Sequence, residues 1–481
     1  MGILIKNGTV VTASERVVAD VYCDGGKVVA LGSGLEKRSA KDELIDASGQ
    51  YVFPGAVDPH VHLALPFMGT VSIDDFEVGT AGAVAGGTTT LIDFVIPARG
   101  QSLLDGLREW EAKSSIAVAD YTYHMAITGW GEKTAEEMRV VVEDKGITSF
   151  KVFMAYKGAF MLDDGELWQV MKHAARLGAV VTVHAENGDA VINLQRELVA
   201  AGKTAPKYHP VSRPSAVEGE ATARALMLAR LNGATAYIVH MTCRESVQAL
   251  ARAKAEGQHC YGETCPQYLL LDDSVFERPD FEGAVFVMSP PIRPRREGHQ
   301  ETLWAHLQNG IINSVGTDYC PFTMEQKRMG LDNFTLIPNG GTGIEERLAL
   351  LYTYGVCEGR FSLERMVELA CTAPAKIFGL YPRKGSISVG GDADLVVWDP
   401  ASERVISAKT HRSRCDRNVF EGFRVKGKPS WVIVNGRVQC KDGDLKVERG
   451  AGRFLKRRVA AGPAVPATAG AAMAGARLQA R

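Results

Sequence analysis

The sequence predicts an α/β protein: a (β/α)8, TIM-like barrel with a small β-sandwich domain built from both chain ends. Three observations carry this expectation. Eight apolar, β-like runs alternate with helical stretches across residues 55–384. Short strands broken by tight turns fill residues 1–54, and the same texture returns after residue 384. The chain has 481 residues, enough for one large barrel plus a satellite. Composition agrees with a globular chain. With 55 Lys+Arg against 56 Asp+Glu, the formal charge is −1, and hydrophobic residues make up 46%. These values exclude a disordered or collagen-like chain, and one held to nucleic acid by bulk positive charge.

From the N-terminus, Ile3-Leu4-Ile5 leads into Asn7-Gly8, and Asp24-Gly25-Gly26 punctuates the next runs. Such dipeptides mark hairpins between short strands. The eight barrel strands are expected near 53–62, 89–95, 120–126, 147–154, 179–184, 235–240, 258–263 and 311–318. Helical segments such as Glu166–Leu177, Glu218–Leu231 and Glu245–Glu256 separate several of them. Eight β/α units in series favour a closed parallel barrel over an open doubly wound sheet. In 385–455, Leu395-Val396-Val397-Trp398 and Trp431-Val432-Ile433-Val434 supply the second half of the β unit. Residues 456–481 are rich in Ala, Gly and Pro and are expected to be a flexible tail.

The N-terminus lacks a basic region followed by an apolar one, so no signal peptide is expected. Gly2 suggests myristoylation, but Lys6 stands where that motif wants Ser or Thr. There is no run of about 18 apolar residues, so no membrane span is expected. Nine scattered cysteines without a C-x-x-C pair point to reduced thiols and a cytoplasmic protein. No phosphate-cradling P-loop is present.

The sharpest chemical signal is Asp58-Pro59-His60-Val61-His62, at the end of an apolar run. Side chains at i and i+2 on a strand share a face, so His60 and His62 can hold one metal ion from one side. Alone, such a pair is a weak signal. It gains weight because apolar runs also end at His184, His240 and Asp318. The C-terminal strand ends of a (β/α)8 barrel converge on one site. Lys151 lies inside the apolar run Ser149–Met154. It either snorkels to solvent or is driven towards its neutral amine in the barrel mouth. A neutral amine can add CO₂ to become a carbamate, whose two oxygens can bridge two metals.

This set resembles the cyclic-amide hydrolases of the amidohydrolase superfamily, closest to the dihydropyrimidinases and bacterial hydantoinases. The likeness extends to about residue 455. It includes Pro66-Phe67-Met68-Gly69-Thr70, Gly86-Gly87-Thr88-Thr89-Thr90, Val183-His184-Ala185-Glu186-Asn187, Ser289-Pro290-Pro291-Ile292-Arg293 and Ile337-Pro338-Asn339-Gly340. The resemblance implies that His60 and His62 bind a first, more buried metal and that His184 and His240 bind a second. N6-carboxylated Lys151 would bridge the two ions, zinc in this family, and Asp318 would complete the first. Tyr156 would polarise the scissile carbonyl, and main-chain groups of Ser289 and Asn339 would read the ring's amides. The implied reaction is attack of a metal-bridging hydroxide on the ring carbonyl, with Asp318 as the proton carrier. It opens dihydrouracil or dihydrothymine to an N-carbamoyl-β-amino acid, or a 5-substituted hydantoin to an N-carbamoyl amino acid.

Leu65, Phe67, Phe153 and Phe160 are candidates for an apolar gate around the ring's substituent. Relatives are commonly homotetramers, and the segment Arg453–Arg458 is a candidate to reach a neighbouring subunit. The implied partner is a small cyclic amide, with neither nucleic acid nor membrane. One departure stands out: the family commonly follows the aspartate with histidine, whereas this chain has Tyr319. Alternatives are an allantoinase-like or dihydroorotase-like specificity, or a non-enzymatic interaction protein like the collapsin-response mediators. The last group lacks the complete metal set that is present here.

Overall fold

A computed structural model describes residues 2–459. Eight parallel strands form one sheet: β1 (Ala56–Val61), β2 (Thr88–Val95), β3 (Asp120–Ala126), β4 (Ser149–Phe153), β5 (Val180–His184), β6 (Thr235–Ile238), β7 (Cys260–Thr264) and β8 (Ser314–Val315). Each pairs with its sequence neighbours, so all eight expected strands are found in the expected order. The sheet is nearly closed. No ladder joins β8 to β1, but Thr317 spans the gap, with Oγ1 donating to Asp58 Oδ2 at 2.7 Å and N to Oδ1 at 3.2 Å. Beyond them His62 N donates to the Tyr319 carbonyl at 2.8 Å.

The first expected strand, 53–62, is two strands. Tyr51–Pro54 joins a sheet outside the barrel, and β1 starts after Gly55. A Cβ at Gly55 would lie 2.2 Å from Thr89 Oγ1, so only glycine lets the chain pass that close to β2. The anticipated helices form over Asp164–Leu177, Ser215–Asn232 and Arg244–Ala255. The first begins with an Asp163/Glu166 capping box and ends at Gly178, with φ 65°. That left-handed C-terminal residue turns the chain straight into β5.

Outside the barrel, a four-stranded sheet comes from the N-terminal segment, and a seven-stranded sheet joins strands from both ends. Ile5, Val21, Val52, Leu395, Val397 and Ile433 bury one apolar cluster between them. Each end of the chain leaves an apolar strand face uncovered, and only their meeting covers both. Lys384, 1% exposed, ties this layer to the barrel floor through Asp120 (2.7 Å) and Asp394 (2.5 Å). Burial alone would lower its pKa, but the surrounding carboxylates raise it instead.

The segment expected to reach a neighbour packs on its own barrel. Leu455 is fully buried, and Leu455 N donates to the Tyr121 carbonyl at 2.8 Å. Packing of this kind continues through Arg457, which is 4% exposed. Of the tail expected to be flexible, 456–481, residues 460–481 lie outside the described residues.

Candidate metal centre and its pocket

All six sequence-predicted ligand residues line one pocket at the C-terminal strand ends, together with Tyr156, Ser289 and Asn339. Strand periodicity supplies His60 and His62 from the end of β1, with ring centroids 5.1 Å apart. Asp318, beyond β8, brings Oδ1 to 3.1 Å from His60 Nε2 and 3.3 Å from His62 Nε2. One ligand atom from each of these three residues lies within 4.8 Å of the others. His184 ends β5, and its Nδ1 lies 2.9 Å from Nε2 of His240, just past β6. Two facing ring nitrogens at that separation suit donors converging on one ion. Lys151, on β4, does not snorkel. It is 1% exposed, with Nζ 4.9 Å from the Phe94 ring centre and 5.0 Å from that of Phe153.

The backbone is strained where the site is built. Tyr156, His240 and Asp318 have φ of 65°, 40° and 52°, a left-handed conformation that non-glycine residues rarely adopt. Such residues persist only where the surrounding structure holds them, and they cluster at functional sites.

Two carboxylates fix the imidazoles. His60 Nδ1 lies 2.6 Å from Glu263 Oε1, and His184 Nε2 lies 2.8 Å from Glu186 Oε2. A carboxylate only accepts, so each imidazole donates through that nitrogen and leaves the other bare towards the pocket. Glu263 also accepts from the Tyr237 hydroxyl (2.7 Å) and from His240 N (3.2 Å). Glu186 accepts from Arg213 at 2.5 Å. Neither glutamate was assigned a role from sequence. The signals were local: Glu186 lies two residues after His184, and Glu263 is the one charged residue of the strand Cys260–Thr264.

Burial shapes the electrostatics. It pushes His62 down to about 4 and Lys151 down to about 8, favouring the uncharged forms that can act as ligand or nucleophile. Burial would raise Asp318, but His60, His62 and His240 overcome it and hold the carboxyl far below its usual range. Burial would also raise Glu186, yet Arg213 and His184 bring it to about 2. Burial pushes Tyr156 up to about 12, so its hydroxyl keeps a proton to donate.

His60 Nε2, 3.1 Å from Asp318, is buried without a hydrogen-bond partner. An orphaned imidazole nitrogen beside an ionised aspartate is the donor chemistry of a cation site. An amidohydrolase family model matches residues 51–439. This chain is 47% identical over 456 residues to the D-hydantoinase of Geobacillus stearothermophilus, covering 94% of this chain and 96% of that one. It is 46% identical to the dihydropyrimidinase of Arabidopsis thaliana, covering 94% and 85%. The crystal structure of dihydropyrimidinase from Brevibacillus agri superposes with a TM-score of 0.94 at 46% identity, covering 96% of this chain and 100% of that one.

The chain belongs to the dihydropyrimidinase and D-hydantoinase family of amidohydrolases.

For a member of this family the departure at Tyr319 has a structural answer. Its side chain points away from Asp318, and its hydroxyl donates to Asp74, which also accepts from Ser413 Oγ (2.5 Å) and Arg414 N (2.8 Å). Tyr319 therefore anchors the strand end rather than contacting the ligand beside it. The four gate candidates Leu65, Phe67, Phe153 and Phe160 all line the pocket. A hairpin pairing Pro66–Phe67 with Thr70–Val71 delivers Phe67, whose ring centre lies 5.5 Å from that of Tyr156. Sequence reasoning missed Ile96, Met288 and Cys320, which also line it. It also missed Lys327, whose buried ammonium donates to the carbonyls of Val287, Pro338 and Gly340 at 2.7–2.9 Å. Those bonds hold together the two loops that carry Ser289 and Asn339, where Asn339 Nδ2 donates to Ser289 Oγ at 2.8 Å.

Proposed function

We propose that this amidohydrolase opens cyclic amide rings by hydrolysis. Its substrates are 5,6-dihydrouracil or dihydrothymine, giving N-carbamoyl-β-amino acids, and 5-substituted hydantoins, giving N-carbamoyl amino acids. The supporting observation is the convergence of four imidazoles, Lys151 and Asp318 on a pocket that also holds Tyr156, Ser289 and Asn339. His60, His62 and Asp318 would hold one divalent ion, and His184 and His240 a second. Lys151, carboxylated on Nζ, would bridge them. Two zinc ions there would make water acidic near neutral pH and polarise an amide carbonyl.

The side chains do the rest. Asp318 accepts the proton of the attacking water and returns it to the ring nitrogen as the carbonyl C–N bond breaks. Tyr156 donates a hydrogen bond from its hydroxyl to the carbonyl oxygen as negative charge gathers there. Main-chain groups of Ser289 and Asn339 bind the amide portion common to both ring types. Leu65, Phe67, Phe153 and Phe160 shield the reacting ring from water and meet its substituent.

The catalytic unit is assigned to residues 55–384, supported by a β unit from 1–54 and 385–455. Nine unpaired cysteines, eight of them buried, favour a reducing compartment, the cytoplasm. No helix among the described residues is long and apolar enough to cross a membrane. The resemblance to relatives supports a homotetramer, which light scattering tests. The decisive experiment compares turnover of dihydrouracil with that of 5-substituted hydantoins, alongside the zinc content, expected at about two per chain. Hydrolysis of neither substrate class overturns this function.

A further inference from the structure

We infer that Arg457, in the C-terminal segment, is a positioning residue for the metal-binding strands, acting through Ser149 and His124 on the backbone before His60 and on the strand that carries Lys151. The inference rests on the donor set proposed above.

Residues 451–458 run beneath the barrel. Gly452 N donates to the Ala117 carbonyl at 2.9 Å and Arg457 N to that of Gly146 at 2.8 Å. The Phe454 ring stacks on Tyr123 with centroids 5.4 Å apart. The Arg457 side chain enters the barrel floor, where Nη2 donates to Ser149 Oγ at 2.8 Å and to the Tyr123 carbonyl. Nε and Nη1 have no partner, and no carboxylate pairs with the guanidinium among the described residues. A buried cation without a counter-charge is unfavourable, and an apolar side chain of similar length would fill the same space without that penalty. What the guanidinium adds is hydrogen bonding.

Every proton in the resulting chain has one place. The Pro59 carbonyl can only accept, so His124 Nε2, 3.0 Å away, carries a proton. Buried His124 is neutral, which leaves its Nδ1 bare to accept from the Ser149 hydroxyl at 2.6 Å. The Ser149 oxygen then accepts from Arg457. One end of this chain pins the peptide immediately before His60. Its middle pins Ser149, two residues before Lys151 and on the same face of β4. A layer of tilted rings reinforces it. The Phe94 ring centre lies 4.5 Å from His124, 4.6 Å from His60 and 4.8 Å from His62. The C-terminal segment thus reaches two ligand-bearing strands without touching the pocket.

The test uses the full-length zinc enzyme with Ser149→Ala and Arg457→Met. Zinc retained per chain is measured after dialysis against a fixed concentration of a zinc chelator, with kcat, KM and thermal melting beside it. Both variants are expected to retain zinc about tenfold less well, the low end of what losing a metal ligand's supporting partner does. Their kcat should fall in step with zinc content, KM should hold, and excess zinc should restore kcat. If Arg457→Met fails to fold, Ser149→Ala decides, because it removes a single oxygen atom. A Ser149→Ala enzyme that melts lower yet holds zinc like the wild type overturns the inference, since Arg457 would then only fasten the segment. A wild-type enzyme without zinc would instead overturn the function on which the inference rests.

Discussion

His60 Nδ1 lies 2.6 Å from Glu263 Oε1, which leaves Nε2 as the nitrogen facing the pocket, 3.1 Å from Asp318. The glutamate sits on β7, far from His60 in sequence, and also holds His240 N at 3.2 Å. One carboxylate therefore orients ligands on two strands. Glu263→Gln should weaken zinc binding by about 10–100-fold while leaving the fold intact. Metal titration against a chelator, with circular dichroism as the control, checks this. Unchanged affinity would reduce Glu263 to a packing role.

Lys151→Ala should lose both metal and activity, because no other group in the pocket would replace the carbamate proposed to bridge the ions. Short-chain carboxylates added to the variant should partly restore activity by occupying the space of the carbamate. Full activity without them would refute the bridge.

Tyr156→Phe should keep its metal and lose about 10²–10³-fold in kcat, the usual value of one oxyanion donor. Burial keeps the Tyr156 proton in place up to about pH 12, so the hydroxyl is a donor throughout the working range. An unaltered kcat would assign the ring to packing against Phe67 and Phe160.

Lys327 sets a pH dependence. Burial pushes its pKa from 10.5 down to about 7. Between these values the unfolded chain binds the proton and the folded chain does not, so this residue makes stability rise with pH across that window. Below about 7 both states are protonated and the penalty is fully present. Denaturant unfolding from pH 6 to 9 should show a more positive slope for wild type than for Lys327→Met. Identical slopes would mean that the three carbonyl acceptors hold the lysine at its ordinary value.

Tyr319→Phe should leave kcat within about twofold of wild type, because the hydroxyl points at Asp74 and not at Asp318. Its expected effect is a loss of about 1–3 kcal/mol of stability, the usual result of removing one partner from a buried hydrogen bond. Calorimetry and steady-state kinetics together separate the two. A large fall in kcat would place Tyr319 in the catalytic machinery after all.

The sequence by itself determined the eight barrel strands and the placing of five ligand-type residues, His60, His62, His184, His240 and Asp318, at or near their ends. Both are written in local periodicity: apolar runs mark buried parallel strands, and ligand-type residues at their ends must meet at one mouth of a barrel. The break at Gly55 was not legible, because the clash that demands glycine comes from Thr89 on another strand. Nor were the roles of Glu263, Glu186, Lys327 and Arg457, whose partners lie on other elements. The direction of Tyr319 depended on Asp74 and Ser413 being folded beside it. Tertiary structure decided which nitrogen His60 presents, since a proton on a buried ring goes to whichever side finds an acceptor, and packing of the distant strand β7 supplies that acceptor as Glu263.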